Sequence, residues 1–410
     1  MVARLTASYF DRAKFARVAD YLVVAVAVSM PWSTSATGIL VAAWLIVLIP
    51  TLAWGDVRRE LMTVAGGFPV LLFLFAATAL AWSDATWHWR WIGLVGFLKL
   101  LAIPLLMAQF RRTAGGYRVF TGFLAACVAL LIASFIVTIW PDIPKGSADI
   151  GVPVKSYILQ SVEFTMCAAV LLDLAIENAR IRYWTKSAAL ASLALAFLGN
   201  IFFIVTGRTA LVIIAALILL YGFRHSGWKG ILGASAIGLI LAITVLTTSP
   251  YLRDRVTGIY TETERYEQQG QESSSGQRID LWTKSIRIIE SAPLFGHGTG
   301  SIVDQFQRAA AGLTGVRGEG STNPHNQTFA VGIQIGLLGV ALLWAMWISQ
   351  FMLFYRTTGL LAWIGLVIVT QNIVGSLFNS FIFDFTEGWL YVFGVGVAAG
   401  MIRRQSDAGP

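Results

Sequence analysis

Long apolar runs separated by short polar segments make up nearly the whole of this chain. A helix needs roughly 20 apolar residues to cross the hydrocarbon layer of a membrane, and most of the runs approach that length. Inside a bilayer every backbone N–H and C=O group must bond within the protein, so each run is predicted to be an α-helix. We predict about twelve spans, at residues 19–34, 36–54, 67–82, 91–110, 117–140, 158–176, 187–205, 208–223, 229–247, 328–350, 358–378 and 385–402.

One long polar segment, from about residue 248 to residue 327, interrupts this pattern between spans nine and ten. Residues 278–290 within it have apolar side chains at helical spacing, and Pro293 and Gly296 predict the end of that helix. Residues 262–275 are polar and predicted to be mobile. The chain therefore divides into spans one to nine (1–247), a loop with short helices over the bundle (248–327), and spans ten to twelve with a tail (328–410).

Composition and charge agree with a membrane protein. Hydrophobic residues make up 56% of the chain and charged residues 13%, against about 25% charged in a typical soluble domain. A net charge of +8 would suggest nucleic-acid binding in a soluble protein, but here the basic residues of the short loops gather on one predicted side. By the positive-inside rule this side is cytoplasmic, with both termini, and the long loop lies outside. The residues that gather there are Arg4, Arg12, Lys14, Arg17, Arg58, Arg59, Arg111, Arg112, Arg118, Arg180, Arg182, Lys186, Arg224, Lys229, Arg356, Arg403 and Arg404.

Two histidines of the long loop are candidate general bases. His325 stands in Asn323-Pro324-His325-Asn326, directly before span ten, where its neighbours are expected to fix the ring at the membrane surface. The imidazole pKa, about 6.5, suits proton acceptance near neutral pH, although a solvated histidine in a helix-capping segment is the alternative. His297 is the reserve candidate, because the glycine-rich stretch around it, Gly296 to Gly300, predicts a mobile turn. This stretch is not a nucleotide-binding motif, since it lacks the preceding strand and the lysine of such a site.

Arg208 and Arg278 are predicted to lie on the same face of the membrane as His325. Guanidinium groups bind phosphate oxygens with two parallel hydrogen bonds, although snorkelling or an ordinary surface charge would also explain either arginine. Together the three residues suit attack by a sugar hydroxyl on a lipid-diphosphate-linked glycan, because the hydroxyl needs a base and the leaving diphosphate needs positive charge.

No metal or other cofactor is expected, since the loop has no Asp-x-Asp pair. The outer carboxylates Asp280, Asp384 and Glu387 are expected to pair with arginine or histidine. Lys99 and Glu163 lie in or near spans and have no predicted role, nor have Asp384 and Glu387 beyond that pairing.

Four short motifs in this order carry a family resemblance: Gly207-Arg208-Thr209, Arg278 with Trp282, Pro293 to Gly298, and His325-Asn326. From about residue 206 to residue 336 the chain resembles the superfamily of O-antigen ligases and polymerases, which are bacterial membrane glycosyltransferases, and most closely the ligases. It departs from the family pattern at Gly207, where a serine is usual, and at His297, where a small apolar residue is usual.

The resemblance implies a membrane-embedded glycosyltransferase fold of the GT-C type and an inverting, metal-independent reaction. O-antigen polysaccharide would pass from undecaprenyl diphosphate to the lipid A-core oligosaccharide at the periplasmic face of the bacterial inner membrane. Carried over to this sequence, His325 would be the base and Arg208 and Arg278 would hold the diphosphate. Asn326 and Trp282 would also contact the substrate.

Two alternatives stay open. An O-antigen polymerase or a protein O-oligosaccharyltransferase of the same superfamily would use a similar lipid-linked donor. A twelve-span transporter would explain the span count, and residues 55–59 resemble a transporter loop motif. Such transporters, however, have their long loop in the centre of the chain and in the cytoplasm.

Overall fold

The computed structural model describes residues 11–205, 207–250, 253–254, 258, 274–314, 318 and 320–407. Throughout this described part the secondary structure is helical, without a strand. The expected all-α polytopic membrane fold is confirmed. Its helices are α1 (Arg12–Ser29), α2 (Thr34–Leu48), α3 (Trp54–Leu61), α4 (Val64–Thr78), α5 (Trp87–Leu98), α6 (Ala102–Arg112), α7 (Gly116–Ile139), α8 (Tyr157–Arg180), α9 (Trp184–Phe203), α10 (Arg208–Thr248), α11 (Ser274–Ser291), α12 (Ile302–Ala310), α13 (Gln327–Tyr355), α14 (Leu360–Gly375) and α15 (Phe385–Asp407).

Helices lie over all twelve predicted spans, with ends that differ by several residues at some of them. The fourth span is covered by α5 and α6 together, which count below as one membrane-crossing helix. Among the described residues, nine helices are long and apolar enough to cross a membrane. One of the nine, α10, contains two predicted spans, while α1 and α14 account for the two spans outside this group. Arg4 and residues 262–273 of the predicted mobile segment lie outside the described part of the chain.

The helix α10 is bent where the sequence predicts a loop between spans eight and nine. Straight, its 41 residues would extend about 60 Å, twice the hydrocarbon thickness. Ser226 and Gly227 have non-helical backbone angles. Gly222 and Gly230 then lie so close that a side chain on either would overlap the backbone of the other. The two halves of α10 therefore form an antiparallel pair.

At one end of the bundle, basic residues predicted to share a side meet acidic partners. Arg111 at the end of α6 bonds to the buried Glu60 of α3 at 2.7 Å and to Asp407 of α15 at 2.6 Å. Arg224 donates to the carbonyl of Thr357 at 3.0 Å. These contacts join separate helices at two of the places where the sequence predicts basic residues on one side.

At the other end, α13 is broken, which the span pattern did not predict. Ile335 and Gly336 leave helical geometry, and the chain segment 293–300 fills the gap. The N–H of Leu337 donates to the carbonyl of Pro293 at 2.7 Å. Backbone groups that the break would leave without partners in a membrane are thus bonded within the protein.

Candidate active site

His325 occupies a strained backbone position directly before α13. Its φ of 51° lies in the left-handed region that residues other than glycine seldom adopt. Its N–H donates to Asn323 Oδ1 at 2.9 Å. Asn326 caps α13 by accepting from the N–H of Phe329 at 3.1 Å. Side chains on both sides of the histidine therefore hold its backbone in place.

The loop between α14 and α15, residues 376–384, holds His325 from a second direction, and we call it the bracing loop. Its Asn379 Oδ1 lies 3.2 Å from Nδ1 of His325. The hydroxyl of Ser380 donates to Asn323 Oδ1 at 2.7 Å. Sequence analysis missed this loop, because spacing along the chain does not indicate which loop lies beside the histidine.

Gln327, the first residue of α13, fixes the bracing loop against the start of that helix. Its N–H donates to the carbonyl of Ser376 at 2.8 Å. Its side-chain oxygen accepts from the N–H groups of Ile382 at 3.0 Å and Phe383 at 3.3 Å. Gln327 is fully buried, so these bonds are shielded from competing water.

Burial lowers the pKa of His325 below its usual value. The hydrogen bond to Asn379 opposes this change, and the positive charge of Arg278 adds to it. The ring therefore stays neutral at neutral pH, which is the form that can accept a proton. The charge of Arg278 therefore acts on the ring of His325.

Arg278 and Trp282 stand on α11, the helix that the sequence predicts in the long loop. That helix is confirmed, but only some of the apolar positions that predict it pack on the bundle. Ile279 and Ile286 are exposed. The small core that attaches α11 to α12 and α13 is formed by Leu281, Ile288, Ile302, Phe306, Ala330 and Ile333.

Trp282 lies between two aromatic rings near the base of the His325 segment. Its ring centre is 6.3 Å from that of Phe329 and 6.4 Å from that of Phe378. The buried indole N–H finds no acceptor among the residues that the structure describes. A buried N–H donor without an acceptor is rare in folded proteins, which distinguishes this group from its neighbours.

Arg208 is the first residue of α10 and is half-buried. The turn before it is fixed by Ser161 of α8, whose hydroxyl accepts from the N–H of Gly207 at 3.1 Å and donates to Val205 at 2.9 Å. A Cβ at Gly207 would lie 3.2 Å from this hydroxyl. Ser161 thus places a hydroxyl directly beside Gly207.

Asn326, predicted to contact substrate, uses its side chain within the protein. Its Oδ1 caps α13, as described above, and its Nδ2 donates to the carbonyl of Leu377 at 3.0 Å. Both contacts hold the backbone next to His325.

His297 is placed very differently from the mobile turn that its glycines predict. Its Nε2 lies 3.0 Å from the carbonyl of Ile288 and 3.1 Å from the hydroxyl of Ser291. Its N–H donates to the carbonyl of Ile333 at 2.9 Å. The expectation of mobility is wrong, because the glycines let the backbone pack into the break of α13: a Cβ on Gly296 would lie 2.6 Å from the backbone of that break.

Asp280 pairs with a lysine, not with arginine or histidine as expected, and a lysine is also the nearby cation for Asp384 and Glu387. Asp280 bonds to Lys284 at 2.7 Å. Lys99 donates to the carbonyl of Asp384 at 2.7 Å, and its charge lies near Asp384 and Glu387. Burial raises the pKa of Asp384 to about 7; Glu387 adds to this rise and Lys99 opposes it.

Glu163 is fully buried in α8, and its oxygens make no hydrogen bond within the described part of the chain. The charges nearest to it are those of Lys155 and Glu387. Lys155 in turn donates to Thr386 at 3.1 Å and to the carbonyl of Met30. Lys155 thus connects the segment before α8 with the start of α15 and the end of α1, at the same end of the bundle as His325.

A cavity of about 940 Å³ opens next to the His325 segment. Its walls are mostly apolar and come chiefly from α2 and α5, with further residues of α6, α12 and α15. Asn323, Lys99 and Asp384 contribute polar groups to its lining. Such a space can take a long apolar chain whose polar end lies beside the candidate base.

Comparison with known proteins gives one family. Residues 192–344 match the family model described as O-antigen ligase. The resemblance to O-antigen ligases is confirmed. The matched region contains Arg208, Arg278, Trp282 and His325, and the family is one of membrane glycosyltransferases, so an enzymatic role is supported at that level. No curated protein matches the chain.

Proposed function

We propose that this protein is an O-antigen ligase, which transfers O-antigen polysaccharide from undecaprenyl diphosphate to the lipid A-core oligosaccharide. The observation that carries the proposal is the neutral, half-buried His325, held by the bracing loop beside the charge of Arg278. When a hydroxyl attacks a glycosyl diphosphate, the reaction requires a base for the hydroxyl proton and a cation for the leaving diphosphate.

In the proposed reaction His325 takes the proton of the acceptor hydroxyl as its oxygen attacks the anomeric carbon. The bond from that carbon to the diphosphate breaks, and the electron pair leaves with the diphosphate. Arg278 and Arg208 stabilise its growing negative charge through paired hydrogen bonds. Attack from the side opposite the leaving group inverts the anomeric carbon, and no metal is needed.

The apolar cavity beside Asn323 supports a substrate with a lipid chain, and we infer that both substrates are lipid-anchored. The site would face the periplasm of a bacterial cell, with both termini in the cytoplasm. A cysteine replacing Asp142, which is exposed at the site end, should react with a membrane-impermeant maleimide, whereas one replacing Arg404 should not. The reverse labelling would place the site in the cytoplasm.

The decisive experiment is deletion of the gene followed by electrophoresis of the lipopolysaccharide. A ligase is indicated if the whole O-antigen ladder disappears while the lipid-linked polymer accumulates. Core carrying a single repeat, with only the long chains missing, indicates a polymerase. An unchanged ladder would favour a protein O-oligosaccharyltransferase or a transporter.

A further inference from the structure

We propose that Asn379 is a positioning residue that sets the tautomer of His325 and thereby makes Nε2 the atom that accepts the proton. The inference rests on the proposed function, since it concerns how the proposed base works. It adds a residue from the bracing loop, far from the motifs of the family resemblance.

The chemistry of the contact decides which ring nitrogen is the base. An amide oxygen can only accept a hydrogen bond. With Asn379 Oδ1 at 3.2 Å from Nδ1 of His325, the neutral ring must carry its hydrogen on Nδ1. The lone pair then lies on Nε2, the nitrogen on the other side of the ring.

Asn379 is itself held firmly enough to impose this choice. Its side chain is buried, with 7% exposed, and its N–H donates to the carbonyl of Gly375 at 3.0 Å. Beyond it, the bracing loop is fixed at its far end by Lys99, which donates to the carbonyls of Phe383 and Asp384. Burying a lysine in a membrane costs free energy. The two carbonyl groups offset part of this cost while they hold the bracing loop.

The backbone strain at His325 points to the same role. A left-handed φ costs energy at a histidine and persists only where neighbouring groups impose it. Here Asn323 and Asn326 impose it from one side, and the ring contact with Asn379 completes the arrangement. Among the charged groups in the described part of the chain, Arg278 on α11 is the one whose charge acts on the ring. The tautomer is therefore set by a neutral amide beside a cation.

During transfer, the acceptor proton moves to Nε2 while the hydrogen on Nδ1 stays in place. The ring becomes positively charged, and its bond to Asn379 Oδ1 strengthens because the donor is now charged. The amide does not take up the proton. When the diphosphate has left, Nε2 returns its proton to solvent, and the same tautomer is restored.

The test is single-turnover transfer as a function of pH, with purified full-length protein, lipid-diphosphate-linked donor and core acceptor. Asn379→Asp keeps an oxygen acceptor and adds negative charge, so activity should persist. The pH at which its rate falls in acid solution, the low-pH limb of the profile, should rise by about one pH unit. The reason is that a carboxylate favours the charged ring and so raises the pKa of His325. Asn379→Leu removes the acceptor, so the rate should fall about tenfold or more and the limb should move down.

Asn372→Leu is the matched control, since Asn372 is also buried but bonds to Trp347 inside the bundle. This variant should lower the midpoint of thermal unfolding but leave the low-pH limb unchanged. That is the result expected of a purely structural effect. If Asn379→Leu fails to accumulate, Asn379→Asp carries the test alone. The proposal is overturned if Asn379→Asp is inactive, which indicates the opposite tautomer, or if neither Asn379 variant moves the limb. Full activity in His325→Gln would instead refute the proposed base.

Discussion

Two histidine segments lie at one end of the helix bundle, and they use histidine in opposite ways. The 293–300 segment fills the break in α13, and Nε2 of His297 must donate because a carbonyl faces it. The 323–326 segment presents Nδ1 of His325 to an amide oxygen, which leaves Nε2 able to accept. A glycine-rich backbone allows close packing in the first segment, whereas asparagine side chains position a ring in the second.

The comparison teaches that the neighbours of a histidine decide its chemistry more than its exposure does. Both rings are partly buried and both are hydrogen-bonded. The charge of Arg278 acts on His325, and each ring keeps a different nitrogen outside the bonds described above: Nε2 in His325 and Nδ1 in His297. The following experiments test this difference, beginning with the largest expected effect.

Replacing His325 by Gln should lower single-turnover transfer about 10² to 10⁴-fold, the usual contribution of general-base catalysis. Donor binding should be retained, because it depends on the arginines. His297→Gln should keep the rate within a few-fold. A dead His297 variant beside an active His325 variant would reverse the comparison.

Arg278→Ala and Arg208→Ala should each reduce transfer by about 10- to 100-fold, as expected when a charged hydrogen-bonding partner is lost. Lysine at either position should restore activity only in part, since it lacks the planar fork. Arg287→Ala is the control, because Arg287 is exposed on the same helix α11 as Arg278. Full activity in either site variant would make that arginine an ordinary surface charge.

Gly298→Val should lower the stability of the protein by about 1–3 kcal/mol, the usual cost of a strained backbone position. The φ of Gly298 is 89°, and a side chain there would overlap Ser83. The midpoint of thermal unfolding in detergent measures the change. Gly233→Ala is the control, because its side chain would meet open space. Equal stability of both variants would contradict the packing role of the 293–300 segment.

The pH dependence of transfer should follow His325 alone. Its pKa is lowered by burial and by Arg278, so the neutral ring persists below pH 6.5 and the rate should fall only in more acid solution. Arg278→Ala removes the like charge, which should raise that pKa and move the low-pH limb up. His297→Gln should leave the limb unchanged. A wild-type limb well above pH 6.5 would show that another group controls the rate.

Excess EDTA should leave transfer unchanged, since two arginines are proposed to take the place of a cation. The measurement uses purified protein with lipid-linked donor and core acceptor. Loss of activity that Mg²⁺ or Mn²⁺ restores would indicate a metal site among the outer carboxylates. It would contradict a metal-free mechanism at the 323–326 segment.

The sequence alone determines the helices of this protein and much of its candidate site. Apolar runs of membrane-spanning length predict the helices, because backbone groups in lipid must bond locally. The position of His325 before a span also predicts its capping neighbours. Arg278 and Trp282 could be assigned to a helix of the long loop, and the motif order identifies the family.

Only the tertiary structure decides how these elements meet. The contact between His325 and Asn379 joins residues 54 positions apart, and the bond from Lys99 to Asp384 joins residues 285 apart. The break in α13 exists because the 293–300 segment supplies its missing bonds, and nothing in the local apolar pattern marks it. Periodicity describes one helix at a time, whereas these features depend on how separate helices pack together.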